Sequence, residues 1–167
     1  MDVGDRQMIF ITLGSQKFQF NRLLKAVDKL VANGTITDNV VAQIGYSDYK
    51  PQNFGYENFF DREMFAKIMD EAETVITHGG TGAIVGAVKK GKKVIAVPRL
   101  SKYGEHVDDH QLQLIEQFKN LNLICGCTDI ECLGEALETV DKTQYKSYQG
   151  NAERIIENIE SFIENIR

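Results

Sequence analysis

Residues 75–112 read VITHGGTGAIVGAVKKGKKVIAVPRLSKYGEHVDDHQL, and this stretch decides the fold. It is preceded by Thr74, and Thr74–Thr77 is a short apolar, β-branched run of the kind that forms a buried strand. His78 stands directly before Gly79-Gly80-Thr81-Gly82. Ile84, Val85, Ala87 and Val88 then recur at helical spacing until Gly91, and a second apolar run, Val94–Val97, stops at Pro98. Strand, tight glycine turn, helix and strand make one βαβ unit. Such a turn leaves backbone N–H groups open at a helix start, where they and the positive end of the helix dipole favour an anion. Glycine at the turn lets the backbone approach that anion closely, because no Cβ intervenes.

The rest of the chain repeats this alternation. Met8–Leu13 (MIFITL) is a continuous apolar run, closed by Gly14-Ser15. Phe20, Leu23, Leu24, Val27, Leu30 and Val31 predict a helix over 20–32, ended by Asn33-Gly34. Val40–Ile44 is a second strand, Tyr46–Phe54 reads as an exposed polar loop, and Tyr56–Phe60 reads as a short aromatic strand. Asp61 is placed to cap a helix carrying Met64, Phe65, Ile68 and Met69. After the central unit, Leu100–Asp109 is a polar loop containing Gly104, followed by a helix from His110. Leu123–Cys125 is a last short strand, and Asp129 is placed to cap a helix through Leu133, Ala136, Leu137 and Val140. Strands alternating with helices specify an α/β fold: a doubly wound, mostly parallel sheet with helices on both faces. Ligands of such sheets bind at strand carboxyl ends, where strand order switches. Gly14-Ser15, His78–Gly82 and the loop after Pro98 all lie at such ends.

Length and composition agree with this. The 167 residues suit one domain spanning 1–167, with 1–7 as a disordered extension and 144–167 as a C-terminal helix. That helix is amphipathic, with Ile155, Ile156, Ile159, Phe162, Ile163 and Ile166 on one side, and part of the stripe is a candidate docking surface for a second subunit. A net charge of −5 gives no electrostatic case for nucleic acid as a partner. No stretch has the length and hydropathy of a membrane span, and MDVGDRQ lacks the pattern of a signal peptide. Cys125, Cys127 and Cys132 are an odd number in one region, which points to reduced thiols in a cytoplasmic protein.

The glycine turn is neither a Walker A loop nor G-x-G-x-x-G, because no Lys-Ser or Lys-Thr follows it. His78, at the end of a buried strand and before a helix start, is placed to donate a hydrogen bond to a phosphate. His106 and His110 are four apart and flank Asp108 and Asp109, but Gly104 and the charge density favour a loop entering a helix, so no metal site is expected. Asp109 and Gln111 are better suited to hydrogen-bonding a polyol. No nucleophile elbow, Cys/His pair or glycosidase-like carboxylate pair is legible. The residues describe a diphosphate-and-polyol site without an evident general base.

His78-Gly-Gly-Thr-Gly, the helix to Gly91, Lys-Lys-Val-Ile-Ala-Val-Pro98 and then Asp109-His110-Gln111 resemble the donor-binding half of GT-B glycosyltransferases, specifically the C-terminal domain of glycosyltransferase family 28. The resemblance covers Met8 to about Val140 and implies a Rossmann-like fold, one half of a GT-B enzyme. The chain is similar in layout to the soluble subunit of the split N-acetylglucosaminyltransferase of dolichol-linked oligosaccharide synthesis. FITLGSQKFQFNRLL and VPRLSKYGEHVDDHQ look closer still to small bacterial subunits of capsular and exopolysaccharide operons, including β-1,4-galactosyltransferase components. That likeness implies a UDP-sugar donor, no metal or other cofactor, an inverting hexosyl transfer, and a lipid-linked saccharide acceptor. It also implies a membrane-associated partner subunit that brings the chain to the inner face of the membrane.

By position, the resemblance places Gly14 and Ser15 near the phosphates, and His78 with Gly79, Gly80, Thr81 and Gly82 around the diphosphate. Phe60 falls over the uracil ring, Asp109 and Gln111 on sugar hydroxyls, and Glu105 beside them. The general base is expected from the partner. Many GT-B enzymes carry an acidic residue eight positions after the histidine, gripping the ribose; here that position is Gly86. A non-catalytic binding or enhancing subunit, and a nucleotide-sugar hydrolase or epimerase, are the alternatives.

Overall fold

A computed structural model describes residues 7–147, together with Glu157 and Ser161. Among the described residues, six strands form one sheet in the order β3-β2-β1-β4-β5-β6, and every pairing is parallel. The strands are β1 (Met8–Thr12), β2 (Asn39–Gln43), β3 (Gly55–Glu57), β4 (Thr74–His78), β5 (Lys93–Val97) and β6 (Cys125–Gly126). The helices are α1 (Asn21–Ala32), α2 (Arg62–Glu71), α3 (Thr81–Lys89), α4 (His110–Asn120) and α5 (Leu133–Lys142).

Alternation along the strands builds two cores. In β1 and the residue after it, Ile9, Ile11 and Leu13 face one layer, with Leu23, Leu24 and Val27 of α1 and Leu133, Ala136 and Val140 of α5. Phe10 points the other way, among Ile68 and Met69 of α2, Ile84, Ala87 and Val88 of α3, and Leu114, Ile115 and Phe118 of α4. The central strands are therefore buried on both faces, which is why they read as unbroken apolar runs rather than as alternating ones.

The doubly wound class is as expected; the differences are local. The third strand stops at Glu57 because the chain leaves the sheet: Phe60 N donates to Gln43 Oε1 at the end of β2 (2.8 Å). β6 begins only at Cys125, after Asn122 takes a left-handed φ of 58°. Asp61 caps α2 as expected, accepting from Met64 N at 2.7 Å. Asp129 instead caps a 3-10 turn, Ile130–Cys132, accepting from Glu131 N, and α5 starts at Leu133. The 46–54 loop is not simply exposed, since Ser47 and Pro51 are buried. Residues 144–147, the expected start of the C-terminal helix, are not helical; the rest of that helix, apart from the helical Glu157 and Ser161, and the extension before Gln7 lie outside the described residues.

The order 3-2-1-4-5-6 places its switch between β1 and β4, because the chain winds one way from β1 to β2 and β3 and the other way from β4 onward. Thr77 Oγ1 donates to Thr12 O (2.8 Å), tying the two strand ends together at that point.

Candidate anion site at the strand switch

Gly14 follows β1 and His78 ends β4, so the topology brings them side by side. Gly14 has a φ of +75°, and a Cβ built on it would lie 2.6 Å from His78 Nε2. A Cβ on Gly80 would overlap the same ring at Cε1. Two glycines thus pack against the imidazole, and any side chain at either would displace it.

Gln111, in the first turn of α4, fixes the ring from behind. Its Oε1 accepts from both Gly79 N and Arg99 N, each at 2.9 Å. With Oε1 committed to two N–H donors, the amide NH₂ must face His78, where Nε2 of Gln111 lies 3.2 Å from Nδ1. An NH₂ group only donates, so Nδ1 is the acceptor and the ring proton sits on Nε2, on the Gly14 side. Burial first, then the positive charge of Arg99 and His106, pushes the His78 pKa down to about 3. His78 is therefore a neutral imidazole with a fixed tautomer and one N–H donor to offer.

The helix start lies beside it. Gly80 is the N-cap of α3, no side chain caps that end, and the first helical bond runs from Ile84 N to Gly80 O (3.1 Å). The N–H groups of Thr81, Gly82 and Ala83 precede that bond, and they are the ones a helix leaves for an anion. A neutral His78 N–H, open helix N–H groups and close glycine backbone are donors of the kind that an anionic oxygen needs.

The remaining expected residues are placed as follows. Ser15 is exposed, one residue beyond Gly14. Asp109 is exposed; the backbone N–H of Ser101, at 2.8 Å from Oδ1, and then the Ser101 hydroxyl hold its carboxyl below the usual carboxylate range. Gln111 is expected on a sugar hydroxyl, but it is buried and both ends of its amide are engaged as described. Glu105 is expected near the sugar, but it too is buried. It forms a two-pronged pair with Arg22, at 3.0 Å to Nε and 3.0 Å to Nη2, and accepts from Leu100 N. Phe60 is half-buried with its ring centroid 6.3 Å from that of Phe10, packed on the core; the exposed ring beside it is Phe59, set edge-on to Tyr46. Gly86 is exposed on α3, and a Cβ there would meet nothing within 4 Å. Among the described residues, no three His, Cys, Asp or Glu side chains gather into a group suited to a metal ion.

Sequence reading passed over Arg99. It is 1% exposed, and its Nη1 donates to the carbonyls of Phe18 (3.0 Å), Gln19 (3.1 Å) and Glu105 (3.4 Å), while Nη2 donates to that of Leu13 (2.5 Å). The signal available was a lone cation directly after an apolar strand and Pro98.

The profile of the glycosyltransferase family 28 C-terminal domain matches residues 8–166. The chain belongs to this family. It is 28% identical over 137 residues to the human UDP-N-acetylglucosamine transferase subunit ALG13, covering 77% of this chain and 12% of that protein. With the Yarrowia lipolytica subunit of the same name it shares 32% over 101 residues, 57% of this chain and 50% of that one. The chain thus spans half or less of the length of these curated relatives. Among solved structures, the glycotransferase of kitacinnamycin superposes with a TM-score of 0.65 at 17% identity, over 100% of this chain and 40% of that one. The solution structure of ALG13 superposes with a TM-score of 0.62 at 18% identity, over 93% and 97%. These likenesses establish a shared Rossmann-like α/β fold for this family 28 C-terminal domain.

Proposed function

We propose that the chain is the donor-binding subunit of a two-subunit, inverting glycosyltransferase that takes a UDP-sugar and passes its hexose to a lipid-linked saccharide. The observation that carries this reading is the His78 N–H, fixed in tautomer and packed against Gly14 and Gly80, beside the open start of α3. Transfer from a UDP-sugar leaves UDP, so negative charge grows on the diphosphate as the glycosidic bond to it breaks. Preorganised neutral donors aimed at that oxygen stabilise the departing group without a metal ion. The name carried by the relatives, UDP-N-acetylglucosamine transferase subunit, supports a UDP-sugar and subunit character. The bacterial likeness of FITLGSQKFQFNRLL favours galactose, joined β-1,4, in capsular or exopolysaccharide synthesis. UDP-N-acetylglucosamine and UDP-galactose are therefore the two donors to compare.

A partner is part of this reading. The exposed large apolar side chains Tyr46, Phe59, Met64, Tyr103 and Val107 all lie on segments that follow strand carboxyl ends, the edge that holds the anion site. A membrane-associated subunit closing over that edge would cover them, contribute the acceptor side and supply the general base. Recruitment to the inner membrane face is assigned to that partner, in keeping with the subunit character of the relatives.

The experiment is calorimetry of the chain with UDP, UDP-galactose and UDP-N-acetylglucosamine, with and without EDTA, followed by transfer assays with the partner present. Binding that survives EDTA, and transfer that needs both subunits, support the proposal. Full transfer by the partner alone would leave this chain as a binding or enhancing subunit, a reading that the bare Gly86 position favours. Release of free sugar from UDP-sugar by the isolated chain would make it a hydrolase.

A further inference from the structure

We propose that Arg99 is a positioning residue: its buried guanidinium fastens the loop after β1 onto His78 and so sets the gap in which the diphosphate sits. The proposal rests on the donor-site reading for its ligand, but the fastening itself is a property of the free chain.

Three of the four carbonyls that Arg99 gathers belong to the segment after β1: Leu13, Phe18 and Gln19. Gly14 and Ser15 lie between these points. The Arg99 backbone N–H is held by the same Gln111 oxygen that holds Gly79, and Gln111 in turn holds His78. One residue therefore links the two walls of the site: its guanidinium holds the carbonyls on either side of Gly14, and its backbone N–H shares Gln111 with Gly79 and His78. A second strap runs alongside, with Gln19 Nε2 donating to Tyr103 O (2.9 Å) and Arg22 Nη2 to Pro98 O (3.1 Å).

The cost of this arrangement argues that it serves the site. Burial pulls the Arg99 pKa down to about 10 despite the opposing charge of Glu105. Among the described residues its buried Nε has no hydrogen-bond partner, and its Cζ lies 5.1 Å from the Phe20 ring centroid. A buried ionic group is often matched or bettered in stability by an apolar side chain of similar volume. Such a cation beside an anion site instead adds a fixed positive field and a planar fork of donors that lysine cannot reproduce. Arg99 from the end of β5 and His106 from the following loop are the charged or titratable groups acting on His78. α4 presents neutral Gln111 to the ring, and the β1 loop and the start of α3 present Gly14 and Gly80.

The test compares wild type, Arg99→Lys and Arg99→Gln in the full chain. UDP affinity is read by calorimetry, amide exchange over residues 14–19 by mass spectrometry, and His78 protonation by ring ¹⁵N NMR without ligand. Arg99→Lys keeps the charge but loses the fork: exchange over 14–19 should accelerate while 74–89 stays protected, and UDP affinity should fall about tenfold. Arg99→Gln also loses the charge, so the affinity loss should be larger and the His78 titration should move upward from its wild-type position. That titration reads the lost charge, and exchange over 14–19 reads the lost fastening. Folded variants with wild-type exchange over 14–19 and UDP affinity within about twofold of wild type would overturn the proposal. If Arg99→Gln does not fold, the Lys variant decides by exchange alone. If wild type does not bind UDP, the donor-site reading fails, while exchange over 14–19 still decides whether Arg99 fastens the loop.

Discussion

Gln111 and His78, thirty-three residues apart, are joined by a hydrogen bond of 3.2 Å whose direction is set by the other end of the same amide. Because Oε1 of Gln111 holds Gly79 N and Arg99 N, the imidazole has only one tautomer that leaves a donor facing Gly14. Replacing Gln111 by Glu keeps an acceptor for the two backbone groups but sets a carboxylate oxygen against Nδ1. That oxygen favours the Nδ1–H tautomer or the imidazolium. In the neutral Nδ1–H tautomer Nε2 has no proton to donate, so we expect Gln111→Glu to shift the ring ¹⁵N signature and, above the pH at which the ring protonates, to weaken UDP binding roughly tenfold to a hundredfold, the value of one hydrogen bond to a charged group. An unchanged tautomer with wild-type affinity would contradict this.

His78 also makes stability depend on pH. Its folded pKa, about 3, lies below the unfolded value near 6.5. Between those values the unfolded chain binds a proton that the folded chain refuses, so stability falls as pH drops below about 6.5, by up to about 1.4 kcal/mol per pH unit. Urea unfolding at pH 7, 6 and 5 should show this fall in wild type and a shallower one in His78→Gln. Binding of UDP-sugar, whose diphosphate has no proton to lose in this range, should be flat from pH 5 to 8. A UDP-sugar affinity that rises as pH falls through 6.5 would mean that His78 acts as a cation.

The glycines offer a contrast between two positions. Gly14→Ala adds a Cβ at a left-handed φ and at 2.6 Å from His78 Nε2. Strain and overpacking should together cost about 2–5 kcal/mol and abolish measurable UDP binding. Gly86→Ala adds its methyl to open space on a helix and should stabilise by about 0.5–1 kcal/mol with UDP affinity unchanged. Gly86→Glu places a carboxylate where many GT-B enzymes grip the ribose, and tighter binding of UDP than of uridine-free diphosphate would show that the gap is functional. Thermal unfolding and calorimetry of the three variants decide, and a harmless Gly14→Ala would remove the glycine-packing account.

How much of this was legible in the sequence follows from the range of the interactions. The βαβ unit, both strand ends and the helix cap at Asp61 depend on neighbours within a few residues, and periodicity and composition carry that information. His78 beside Gly14 follows once strand order is known, because both end parallel strands at the switch. Gln111 is different. Its place near the site could be read, but whether its amide faces a sugar or an imidazole depends on two backbone groups 12 and 32 residues away. Sequence reading passes over Arg99 and expects Glu105 beside the sugar; only the packing of their segment over Phe20 and Arg22 buries them. Phe59 and Phe60 differ by one step of a chain leaving the sheet, and no periodicity says which ring turns inward.

The 46–54 segment shows the same limit and supplies the last prediction. It reads as exposed because it is polar, yet Asp28 of α1, 3% exposed, organises it. Oδ2 of Asp28 accepts from Tyr49 OH (2.5 Å) and Gln52 N (3.0 Å), and Oδ1 from Asn53 N and Nδ2, both at 2.9 Å. Burial alone would raise this carboxyl's pKa, but hydrogen bonds from Tyr49, Gln52 and Asn53 outweigh it and hold the pKa below the ordinary value. The carboxylate therefore contributes stability above its unfolded pKa near 3.9, and that contribution is lost as pH falls through the lower folded value. In Asp28→Asn one oxygen becomes an NH₂ group facing donors, and Gln52 N, a backbone group, cannot turn away. We expect a loss of about 2–4 kcal/mol at pH 7 from bonds to a charged acceptor, shrinking toward pH 3. UDP affinity of the folded variant should stay within about threefold of wild type, because Arg99 holds the Leu13, Phe18 and Gln19 carbonyls on either side of Gly14, and none of these bonds involves Asp28. Urea unfolding at the two pH values checks the first part. A variant as stable as wild type at pH 7 would show that water satisfies the loop as well as Asp28 does.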